Sequence, residues 1–73
     1  MSPSLPVMTA DELINLLKFH GFVKVGQKGS HVKMRSPENV TIIIPAHSGC
    51  NIKPGLLLSI LNRAGIDVNS IRR

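Results

Sequence analysis

The chain has 73 residues, 42% of them apolar, with nine Lys+Arg against four Asp+Glu and a formal net charge of +5. That length holds one small domain, burying only about 60% of its unfolded surface, and the apolar content excludes a disordered basic tail. The single Cys50 excludes an internal disulfide and points to a reducing, cytoplasmic setting, while the longest apolar runs, Ile42–Ile44 and Leu56–Leu58, are too short to span a bilayer.

Residues 1–8 contain Pro3 and Pro6, lack the charged start and apolar stretch of a signal peptide, and read as a flexible extension ahead of one domain over 9–73. Thr9-Ala10-Asp11-Glu12 has the form of a capping box, with Met8 and Leu13 at the positions of a hydrophobic staple. Leu13, Leu16, Leu17 and His20 recur at i, i+3, i+4, i+7 and predict an amphipathic helix with one buried stripe, stopped at Gly21.

Phe22–Val25 then reads as a short strand, and Gly26-Gln27-Lys28-Gly29 as a four-residue turn. Ser30–Ser36 alternates strictly. Val32 and Met34 suit one face, and His31, Lys33 and Arg35 the other. Pro37-Glu38-Asn39 is a second turn, and Val40–Ile44 is β-branched at every position, the strongest strand signal in the chain. After Pro45 comes a polar loop with His47 and Cys50. Pro54 marks a helix start, Leu57, Ile60, Leu61 and Ala64 recur at helical spacing, and Gly65 caps the end. Asp67 begins a last short turn burying Val68 or Ile71.

The order α-β-β-β-α predicts a small two-layer α+β domain: a three-stranded antiparallel sheet with both helices on one face. The other face is then open, and Val32 and Met34, needed for the core, leave it to His31, Lys33 and Arg35. Ile43 and the set Val40, Ile42 and Ile44 fall on opposite sides of the third strand, and Leu56 and Leu58 flank the stripe of the second helix. Apolar positions left uncovered must meet water or a protein.

No acid occurs between Leu13 and Pro37, a stretch holding Lys18, Lys24, Lys28, Lys33, Arg35, His20 and His31. A basic half of this kind is a footprint for a polyanion, nucleic acid being the commonest. No segment combines a basic face with aromatic anchors for a membrane surface. Base stacking has almost nothing to work with, since Phe19 and Phe22 are the only Phe, Tyr or Trp. The second helix offers only Lys53 and Arg63 for reading DNA. His20, His31 and His47 lack the close spacing of metal ligands, and Cys50 has no orienting acid nearby. His31 among fixed cations remains. Imidazole both takes and gives a proton near neutrality. A base that removes the RNA 2′-hydroxyl proton, an acid for the departing 5′-oxygen and cations on the phosphate suffice to cleave RNA. An exposed strand histidine with no chemical role is the alternative.

Five segments in this order resemble the HicA (YcfA-like) family of small bacterial mRNA interferase toxins: Leu16–Phe22, Gln27–His31 with its Gly-Ser-His, Ile44–Ser48 with its Pro-x-His, Ile52–Leu56 and Ser59–Leu61. The resemblance runs from about Thr9 to Ile66. It implies a fold like the double-stranded-RNA-binding domain and an endoribonuclease that inhibits translation. The lone imidazole among cations and the lack of a metal-ligand cluster lead to the expectation that cleavage needs no metal and no cofactor. It also implies His31 as the catalytic residue and a HicB-type antitoxin that covers the site. Lys24, Lys28, Gly29, Ser30, Lys33 and Arg35 are the expected RNA contacts. Val32 stands where many members carry a second polar residue, which leaves the partner acid or base among Lys28, Lys33, His47 and water. Two readings follow, a toxin that cuts mRNA and a non-catalytic RNA-binding module of the same fold. Free of its partner, the chain is expected as a monomer or weak homodimer.

Overall fold

The computed structural model describes residues 7–46 and 51–70. The proposed extension up to Pro6, together with His47, Cys50 and Ile71, lies outside the described residues. The elements run α1 (Ala10–Phe19), β1 (Val23–Lys28), β2 (His31–Arg35), β3 (Thr41–Pro45), α2 (Pro54–Ala64) and a 3-10 turn (Val68–Ser70). The strands form one antiparallel sheet in the order β1-β2-β3. This is the α+β architecture expected.

The capping box starts α1 as the sequence requires: Glu12 N–H donates to Thr9 Oγ1 (3.2 Å) and Thr9 N–H to Glu12 Oε1 (2.8 Å). Leu13 and Leu17 are fully buried and Leu16 half-buried. His20, placed on the same stripe by its spacing, is exposed. The helix ends at Phe19, His20 is its cap, and Gly21 takes φ 95° to turn the chain away. Ahead of α1, Met8 is half-buried and its carbonyl accepts from Ile52 N–H (2.8 Å), which ties the start of the domain to the approach of α2. At the far end Pro54 opens α2 and Gly65, at φ 74°, closes it.

One core unites the two layers. Leu13 and Leu17 from α1 and Leu57, Ile60 and Leu61 from α2 meet Val32 and Met34 of β2 and Ile42 and Ile44 of β3. β1 adds none of its own side chains, and Phe22, just before it, is buried instead. The helices therefore cover β2 and β3, leaving β1 projecting.

The first hairpin differs from the four-residue turn expected. Gln27 and Lys28 stay in the ladder, pairing with Val32 and His31, so the loop is only Gly29-Ser30. Gly29 has φ 59° and Ser30 does not have positive φ, as a two-residue turn needing glycine at its first position demands. Gly26 keeps a strand conformation. Ahead of it the register slips: Lys24 pairs with Met34 and Gly26 with Lys33, leaving Val25 as a bulge. Between β2 and β3, Ser36 is buried and holds the corner. Its N–H donates to Val40 O (3.0 Å), its Oγ accepts from Val40 N–H (3.1 Å) and its carbonyl from Asn39 N–H (2.9 Å).

Candidate nucleic-acid interface on the open sheet face

Residues paired across an antiparallel ladder share a face. The register therefore assigns every paired strand side chain. The helix side takes Val32, Met34, Ile42 and Ile44; the open side takes His31, Lys33 and Arg35 from β2, Lys28, Gly26 and Val23 from β1, and Thr41, Ile43 and Pro45 from β3. Burial agrees: along β2 it alternates exposed, buried, exposed, buried, exposed.

His31 opens β2, directly opposite Lys28. These two flank the Gly29-Ser30 turn, so their Cβ atoms lie only about 4.5–5.5 Å apart. Lys33 follows two residues on, roughly 7 Å along the strand. The carbonyl of Ser30 accepts from Ala46 N–H, pinning the backbone just before His31. Gln27 braces the turn from the other side, its Nε2 donating to Gly29 O (3.0 Å). At the far end of β2, Arg35 Nε donates to Thr41 Oγ1 (3.4 Å). No strand residue is acidic: Asp11 and Glu12 are in the first turn of α1, Glu38 is in the β2–β3 turn, and Asp67 follows α2. The face thus holds one imidazole among three cations with no carboxylate to neutralise them, which suits phosphate.

Gly26, Gln27, Lys28, His31, Lys33 and Ile43 border a shallow concavity on this face. Its depression lies where Gly26, opposite Lys33, supplies no side chain. A Cβ built on Gly26 meets no atom within 4 Å, so packing does not demand glycine there. Gly26 and Ile43 were not among the site residues expected. Gly26 reads as a turn residue in sequence, and only the register exposes its other role.

The structure brings together His31, Lys28, Lys33 and Arg35, with Gly29 and Ser30 supplying the turn beside them. Lys24 stands apart. Four residues from Lys28, it would share its face in a regular strand, but the bulge at Val25 breaks the alternation. Lys24 falls on the helix side of β1, where its ammonium donates to Gln27 Oε1 (2.7 Å).

His31 makes no side-chain hydrogen bond among the described residues. Nor do three His, Cys, Asp or Glu side chains gather among them where they could hold a metal ion. No helix among the described residues is long and apolar enough to cross a membrane.

A family model described as the HicA toxin of bacterial toxin–antitoxin systems matches residues 10–66, from the first residue of α1 to the buried Ile66 beyond α2. No curated protein matches the chain.

Proposed function

Because the chain belongs to the HicA family of bacterial toxin–antitoxin toxins, we propose that it is an mRNA interferase, a cytoplasmic endoribonuclease that blocks translation by cutting messenger RNA, with His31 as the catalytic residue. The observation that carries the reading is the pairing of exposed His31 with Lys28 on an acid-free face that the helices leave uncovered.

The chemistry follows from that placement. A phosphate seated between Lys28 and Lys33 brings its neighbouring ribose to His31. One group removes the 2′-hydroxyl proton and the 2′-oxygen attacks phosphorus. The bond to the 5′-oxygen breaks, and a second group protonates that oxygen as it leaves. The products are a 2′,3′-cyclic phosphate and a 5′-hydroxyl, with no net proton consumed. His31 is one of the two groups, and Lys28, Lys33, His47 or water is the other. Lys28 and Lys33 also stabilise the charge that develops on the phosphoryl oxygens. Arg35 and the backbone of Gly29 and Ser30 extend the contact along the strand. Lys24, on the other side of the bulge, contributes general attraction only.

A toxin of this family is made with an antitoxin. We infer a HicB-type protein, acidic and partly apolar, that seats on the same face over His31 and Ile43 and competes with RNA. Ile43 is 47% exposed there, an apolar side chain among the cations. Binding of such a partner would also stabilise this small domain by mass action.

The non-catalytic module is the second reading. It is favoured by the lack, among the described residues, of a hydrogen bond to His31 that would fix its tautomer. One experiment separates the two. The chain is incubated with an RNA and with the same RNA carrying a single 2′-deoxy substitution at the cleaved position. Cleavage of the first and protection of the second support the nuclease; binding of both without cleavage of either supports the module.

A further inference from the structure

Among the described residues β3 is an edge strand, and its main-chain groups can be sorted by parity. Ser36 N–H donates to Val40 O and Ala46 N–H to Ser30 O, so the even-numbered residues at both ends of β3 turn their polar groups toward β2. Residues in an antiparallel pair alternate in this respect. Thr41, Ile43 and Pro45 therefore turn theirs to the free edge. Arg63 confirms the parity: its Nε reaches from α2 to donate to Thr41 O (2.9 Å). The space beside the edge is an open groove between β3 and α2, bordered by Thr41, Ile43, Leu56, Ser59 and Arg63. Ile43 is 47% exposed and Leu56 40%.

This edge is complementary to itself. We propose that two copies of the chain pair through β3, antiparallel, about a two-fold axis between the two Ile43 residues. In that register each Ile43 N–H donates to the other Ile43 carbonyl, and Thr41 lies opposite Pro45 of the second copy. Thr41 N–H then donates to that Pro45 carbonyl. One mismatch remains on each side, because Pro45 has no N–H for the Thr41 carbonyl. That carbonyl is the one Arg63 already serves, from the helix side of the sheet. The missing Pro45 N–H thus faces a carbonyl that already has a donor. An unrelated strand would leave the carbonyl it brings opposite Pro45 without one.

The paired edges bring no like charges close together. Thr41-Ile42-Ile43-Ile44-Pro45 carries none. The Lys33 residues of the two copies lie three strand spacings apart, roughly 14 Å, beyond the screening length of about 8 Å at physiological ionic strength. The axis is perpendicular to the sheet, so both open faces point the same way in one six-stranded sheet. The two His31 residues then lie at opposite corners, roughly 20 Å apart from strand spacing and rise. Few residues are buried, so association is weak, between micromolar and millimolar. The inference does not rest on the reading of His31.

Sedimentation of the full chain without RNA tests it, combined with amide hydrogen exchange. The average mass should rise with concentration from the 7.9 kDa of one chain toward twice that. The Thr41 and Ile43 amides should become protected in parallel, while those of Ile42 and Ile44, already in the ladder, do not change. Ile43→Pro removes an N–H that no described strand of the monomer uses, and should abolish association with the fold retained. If that variant fails to fold, Ile43→Lys, whose side chain faces solvent, should do the same by placing like charges across the axis. A single-chain mass up to about 1 mM would overturn the proposal, as would a dimer undiminished by either variant. Protection of the Ile43 amide only when an antitoxin is added would also overturn it, assigning the edge to a partner protein.

Discussion

The two faces of β2 carry opposite duties on five consecutive residues. Val32 and Met34 are buried under both helices, while His31, Lys33 and Arg35 between and beside them stand in solvent. Nothing but the alternation of the pleat separates them. Stability and chemistry can therefore be changed independently, residue by residue, on one strand. That separation suits a small toxin. A domain of this size has little stability to spare, and its open face can be remodelled without touching the core.

The largest contrast is between neighbours on opposite faces. His31→Ala should reduce RNA cleavage by ~10²–10⁴-fold, the usual contribution of general acid–base catalysis, and shift stability by no more than ~0.5 kcal/mol. Met34→Ala should do the reverse, costing about 2–5 kcal/mol through the cavity it leaves while sparing cleavage at temperatures where the protein remains folded. Thermal melts and cleavage rates on both variants check this. Destabilisation by His31→Ala as large as that by Met34→Ala would break the comparison.

Next comes the division within β1. Lys28→Ala, Lys33→Ala and Arg35→Ala should weaken RNA binding alike across sequences. Each should flatten the slope of log affinity against log salt by ~0.7–0.9 for every phosphate the protein no longer engages. Lys24→Ala, on the other side of the bulge, should flatten the slope far less. Equal slopes for Lys24→Ala and Lys28→Ala would mean that RNA does not select the open face.

Much of this layout is legible in the sequence. The strict alternation from Ser30 to Ser36 assigns both faces of β2, because one of them must be buried and a slip of one residue would invert them. The capping box and the helical leucine spacing fix α1 and α2 equally well. The start of β1 is legible as a strand over Phe22–Val25, but its register and its end are not. Gly26 and Gly29 look alike in sequence, yet only Gly29 takes positive φ, and the bulge at Val25 leaves no mark in the hydrophobic pattern. The turn therefore moves to Gly29-Ser30, Lys28 joins the strand on the face opposite Lys24, and Gly26 becomes part of the concavity. His20 fails for a simpler reason: helical spacing puts it on the buried stripe, but the helix ends one residue earlier.

Gly26 provides a finer test of the open face. Gly26→Val should leave stability unchanged or raise it by up to ~1 kcal/mol, since glycine weakens a strand interior and the added atoms meet open space. The same side chain fills the concavity between Lys28 and Ile43, so cleavage should fall through a raised KM. Unaltered kinetics in a stable Gly26→Val variant would place the RNA elsewhere on the sheet. An effect on stability alone is expected at the corner of the core. Ser36→Ala strips the Val40 N–H of its acceptor and should cost ~1–2 kcal/mol without altering cleavage in the folded protein.

The ends of the cleaved RNA test the central claim most directly. The purified chain, freed of its antitoxin and assayed in EDTA, should leave 2′,3′-cyclic phosphate and 5′-hydroxyl ends, and a well-folded His31→Ala protein should leave none. Ends bearing 3′-hydroxyl and 5′-phosphate, or undiminished cyclic-phosphate production by His31→Ala, would contradict the assignment of His31 to proton transfer on the open face.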